Sequence, residues 1–148
     1  MNKCYNDGDF GKYFKENMDA LGVPTPNSLF DTYSSAVANA SLMSGAIYKL
    51  GARATVAELA RATLFGEKLL LAGAFGAVIY TGVTVGSLAV ASGRSLGCGT
   101  RISDMFTFIG SRNLQFPGWE TFYHRYPQVI EADRPLRRNI GMMARMAA

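Results

Sequence analysis

A cysteine flanked by glycines, Gly97-Cys98-Gly99, and the one histidine of the chain, His124, are the residues whose types could carry covalent chemistry. Glycine on either side would expose the thiol. An imidazole brought beside it would draw off the proton and yield the thiolate of a thiol hydrolase, for example a cell-wall amidase. The plainer account of Cys98 is a small residue at a helix end. His124 has no HxxxH or HxxE partner, and Cys4 and Cys98 are the only cysteines, so the spacing of a metal centre is missing. GAFGAV, residues 73–78, lacks the third glycine of a dinucleotide loop, and no GxxxxGK[ST] occurs. Arg134, Arg137, Arg138 and Arg145 are interrupted by Glu131 and Asp133, which reads as a solvated helix face and not as a nucleic-acid patch. The sequence therefore offers no catalytic residues beyond the pair Cys98 and His124, no metal site and no cofactor loop.

The stronger pattern is physical. LLLAGAFGAVIYTGVTVGSLAVASG, Leu69 to Gly93, carries no charge over 25 residues and places glycine at 73, 76, 82, 86 and 93. As a helix it would span about 37 Å, against about 30 Å for the hydrocarbon of a bilayer. Each glycine inside a helix costs about 1 kcal/mol relative to alanine, so Gly73, Gly76, Gly82 and Gly86 must be offset, and close packing of helix backbones in a membrane would do so. At about 100° per residue, Gly82, Gly86, Gly93 and Gly97 share an arc of roughly 60°, and Gly66, Gly73 and Gly76 share another side. One smooth face would meet the helix around Ser41, Gly45 and Ala46, the other a second copy of the chain. Lys68 and Arg94 bracket the run and would anchor it at the two interfaces. Tyr80, Thr81, Thr84 and Ser87 are the polar groups available to line a hydrated pore. Two other readings remain open: a buried helical hairpin in a soluble domain, and β-structure over Val78–Gly86, where valine, isoleucine, tyrosine and threonine favour strands.

The elements that must position these residues are marked by proline. After Pro24 and Pro26 none occurs until Pro117, and a tract that free of proline suits long helices. A first helix is expected from Asn27 or Ser28, either of which would cap it, to Leu50-Gly51, and a second from about Thr55 through the uncharged run. The fold class expected is all-α, a helical hairpin with a long glycine-rich apolar helix and a small aromatic C-terminal cap. A single domain, 1–148, would comprise a polar N-terminal segment (1–26), a membrane-insertable helical region (27–97) and the cap (98–148). In the cap, Trp119, Phe122, Tyr123 and Tyr126 would sit at a membrane interface or form a compact aromatic core. Net charge is +4 and mean hydropathy only +0.08, low for an integral membrane protein. The acidic N-terminus without an apolar core is no Sec signal, so export would need a dedicated machine.

With a polar N-terminus, an amphipathic small-residue helix and the glycine-zipper-like Gly73/Gly76/Gly82/Gly86/Gly93 tract, residues 29–97 resemble the small pore-forming antibacterial effectors of bacterial type VI secretion, the Hcp-dependent Tse class of Pseudomonas. The resemblance implies a toxin that is not an enzyme. It would rest soluble in the producer cytoplasm, sheltered by a ring of the Hcp tube protein, and act from the periplasm on the target cell's inner membrane, where oligomers leak ions and collapse the potential. It implies a membrane immunity protein in the producer. The alternatives are a secreted hydrolase using Cys98 and His124, and a holin-like or adaptor membrane protein.

Overall fold

The computed structural model describes residues 10–25, 29–63, 73, 75–96, 102–130 and 140. Among these the chain forms six α-helices: α1 (Phe10–Ala20), α2 (Tyr33–Leu50), α3 (Val56–Ala62), α4 (Ala77–Leu96), α5 (Ile102–Arg112) and α6 (Trp119–Arg125). A 3₁₀ turn, Pro127–Val129, follows α6. The all-α expectation holds, and no strand occurs among the described residues.

α4 is the axis of the structure. From Tyr80 to Ser92 every residue is buried, and Val78 and Ile79 in its first turn reach solvent in part. α1 packs along it more extensively than any other helix, with α2, α3, α5 and the 3₁₀ turn completing the cover. Because side chains surround it on all sides, its many β-branched residues gain their burial as a helix, and the strand alternative for Val78–Gly86 is overturned.

Local chemistry sets the helix ends. Thr32, in extended backbone, accepts from the Ser35 amide and caps α2, which therefore starts at Tyr33, later than the expected Asn27 or Ser28; those two lie outside the described residues. Gly51 at φ 102° stops α2, where a side chain would be strained. Thr55 and Glu58 form a capping box at the start of α3: the Glu58 carboxylate accepts from the Thr55 amide at 2.9 Å, and the Glu58 amide donates back to Thr55 Oγ1. α1 closes in a Schellman turn, with Val23 N bonded to Met18 O, Gly22 at φ 76°, and Met18 and Val23 both buried.

Two expectations are corrected. The segment 1–26 is not simply polar: Phe10, Tyr13, Phe14, Asn17, Met18 and Leu21 recur at helical spacing and are buried. The second helix also does not run unbroken from Thr55 into the uncharged tract. α3 ends at Ala62 with Thr63 extended, and α4 begins at Ala77 because the backbone before it is engaged elsewhere. Thr55 and Gly76 form an isolated antiparallel bridge, with Val56 N to Phe75 O and Ala77 N to Ala54 O both at 2.8 Å. The uncharged run is thereby split, and among the described residues no helix is long and apolar enough to cross a membrane.

Candidate functional site

The glycines separate by position. Gly73 sits in a turn and Gly76 in the bridge to Thr55, so neither lies on the helix face expected of them; Gly76 pairs instead with the residue that caps α3. Gly82, Gly86 and Gly93 lie in α4, whereas Gly97, Lys68 and Cys98 fall outside the described residues, as does the side chain of Arg94.

Gly82 and Gly86 are where α4 meets the cap. A Cβ at Gly82 would stand 2.3 Å from Phe122 Cζ, and one at Gly86 would stand 2.3 Å from Val129 Cγ1 and 3.2 Å from Tyr123 Cε1. The Phe122 ring cannot swing aside cheaply, since Phe116, Tyr123 and Tyr126 hold it with ring centroids 5.5, 4.9 and 5.0 Å away. The Tyr123 hydroxyl donates to the Gly82 carbonyl. The glycine face is thus filled by the aromatic cap of the same chain. The face expected to use Gly45 is different again: Gly45 is exposed with nothing within 4 Å of an added Cβ, and α2 turns Met43, Ser44 and Ile47 inward instead.

The four polar residues assigned to a pore lining are all buried in this fold. Tyr80 reaches out of the core to donate to Pro24 O at 2.9 Å, and Thr84 Oγ1 bonds back to Tyr80 O at 2.8 Å. Ser87 accepts from Asn17 Nδ2 at 2.9 Å, and the same amide donates to Val129 O at 3.1 Å, so one side chain of α1 ties α4 to the 3₁₀ turn. Thr81 Oγ1 is buried without a hydrogen-bond partner. Burial raises the pKa of the Tyr80 and Tyr123 phenols well above the ordinary tyrosine range, because the phenolate would lose its water.

His124 is exposed on α6 with its ring packed edge-to-face with Phe106, and Cys98, its expected partner, lies outside the described residues. No group of three His, Cys, Asp or Glu that could hold a metal occurs among the described residues. A cleft of about 280 Å³ opens between the start of α4 and the cap, lined by residues including Ala52, Ile79, Thr121, Phe122 and Arg125.

Asn17, Phe122, Tyr123 and Val129 are the cover that the glycine pattern alone did not reveal. Asn17 carried a signal, being the polar residue on the apolar stripe of α1. The others lay in a region read by composition, whose aromatic residues form the compact core that was one of its two expected fates. No known protein family, curated protein or solved structure matches the chain.

Proposed function

We propose that the chain is a pore-forming antibacterial effector that keeps its membrane-active helix covered until it meets a target membrane. The observation that carries the reading is α4, a glycine-bearing helix without charge from Ala77 to Gly93, enclosed by amphipathic helices and a C-terminal cap and buried at every residue from Tyr80 to Ser92. Thr81 adds support. Its unpartnered hydroxyl costs the folded state about 1–3 kcal/mol and has no use there, whereas a hydrated pore would satisfy it.

On this reading insertion has two steps. The cap leaves Gly82 and Gly86, freeing the smooth face for another helix, and the Thr55–Gly76 bridge opens so that residues 69–76 extend α4 to membrane length. Lys68 and Arg94 then lie near the two interfaces. Carriage by an Hcp ring and neutralisation by a membrane immunity protein belong to the same proposal, resting on the resemblance.

A second reading is favoured by one observation: Phe122 and Val129 already account for Gly82 and Gly86 as core packing, so α4 would be the centre of a helical domain that never unfolds. Membrane potential in sensitive bacteria separates the readings, followed by a voltage-sensitive dye with the chain expressed with and without an added export signal. Depolarisation before lysis, only on export and unchanged by Cys98→Ala, is the expected result. An exported chain that leaves the potential intact belongs to the second reading, and lysis abolished by Cys98→Ala would move the chemistry to a thiol hydrolase.

A further inference from the structure

Every residue from Tyr48 to Arg53 is exposed, so the end of α2 and the turn into α3 project as an apex. Two of the large apolar residues that stand exposed among the described residues lie at this end of α2, Tyr48 at 56% and Leu50 at 38%; the third, Leu42, lies about two turns earlier in the same helix. Isolated exposed leucines are ordinary, but a tyrosine and a leucine exposed at one helix end beside an unpaired basic pair are not.

Basic side chains without an ion-pair partner stand beside them. Lys49 and Arg53 flank the turn, and Arg125 is brought to the same side because it lines one cleft with Ala52. No carboxylate among the described residues pairs with any of the three; the one acid nearby in sequence, Glu58, is folded back onto the Thr55 amide. We infer that this apex, Tyr48 and Leu50 with Lys49, Arg53 and Arg125, is the surface by which the folded protein docks on a membrane rich in anionic phospholipid. A tyrosine and a leucine enter the headgroup boundary with their apolar bodies, while cations beside them meet the phosphates. A second copy is the poorer occupant, because a two-fold contact would set these cations against their own images. The inference rests on the membrane-directed reading above and adds where the folded chain first touches lipid, before α4 is released.

The test is co-sedimentation of the full chain with vesicles of phosphatidylcholine alone and of phosphatidylcholine with an equal part of phosphatidylglycerol. Binding to the anionic vesicles only, weakened by added salt, is expected. Replacing the cations together, Lys49→Gln, Arg53→Gln and Arg125→Gln, lowers the partition on the order of 100-fold, about fivefold for each. Tyr48→Ser with Leu50→Ser lowers it as well at unchanged salt dependence. All five positions are surface sites, and an unaltered thermal melt shows that the variants fold. Equal binding to both vesicles, a partition indifferent to these substitutions, or a dimer in light scattering that the substitutions abolish would each overturn the docking surface. Dye release from the same vesicles is read in parallel. Bound protein that releases nothing sinks the pore reading and leaves the docking surface standing, whereas release that persists in the variants sinks the docking surface alone.

Discussion

The Tyr123 hydroxyl donates to the Gly82 carbonyl at 2.7 Å, joining the cap to the backbone of the central helix. Only a residue without a side chain lets an aromatic ring come so near a helix. Phe122 fills the space over the same glycine, and Val129 does so over Gly86 one turn on. Glycine and cap are thus two halves of one contact.

That contact fixes the sign of glycine substitutions. Gly82→Ala and Gly86→Ala each gain about 1 kcal/mol of helix propensity but overpack the cap, for a net loss of about 1–3 kcal/mol. Gly45→Ala, in an exposed helix interior with open space, stabilises by about 0.5–1 kcal/mol. Denaturant unfolding of the three variants checks the opposed signs. Leucine at 82 or 86 would disrupt the resting fold, so loss of toxicity in such variants says nothing about pores unless folding is verified.

Asn17 holds three elements with one amide. Asn17→Ala is expected to cost about 2–3 kcal/mol, since it removes two buried hydrogen bonds, to the Val129 carbonyl and to the Ser87 hydroxyl, whereas Ser87→Ala, which leaves the bond to Val129 in place, costs about 1 kcal/mol. Equal losses in urea melts would show that Asn17 acts through α4 alone.

Thr81→Val replaces an unpartnered buried hydroxyl by a methyl of nearly the same shape. The fold should gain about 1 kcal/mol, seen as a higher midpoint in denaturant. A loss of stability would mean that the hydroxyl has a partner in solution.

The buried phenols set an alkaline limit. Their pKa values are raised in the folded state above the unfolded value of about 10, so the neutral form is the one folding favours. Stability is then fully present below pH about 10 and falls as the pH rises beyond it, because only the unfolded chain can release these protons. Tyr80→Phe and Tyr123→Phe should each flatten the decline in denaturant midpoint above that pH, and tyrosinate absorbance should rise in step with unfolding.

The helical class, the end of α2 at Gly51 and the start of the next helix near Thr55 were legible because caps are local chemistry: Thr55 and Glu58 need only each other. The break before Ala77 was not, since it depends on Gly76 pairing with Thr55 across a loop, and nothing in GAFGAV announces a partner. The glycine spacing predicts faces for another helix, whereas in this fold Gly82 and Gly86 meet side chains of the cap. What approaches them, an aromatic ring some 40 residues later in the chain, cannot be read from a spacing. The burial of α1 was visible in its period but was outweighed in the reading by its charges, Lys12, Lys15, Glu16 and Asp19, which all sit on the outer face.

The order in which α4 acquires its cover has a consequence for synthesis. α1 and α2 precede it on the ribosome, but Phe122, Tyr123 and Val129 emerge only after it. At about 5–20 residues per second, the glycine face stays bare for a few seconds in every nascent chain. A product truncated before Phe122 would keep it bare permanently. The producing cell therefore handles an apolar helix whose cover arrives last, and the exposure is greatest in the unfinished chain.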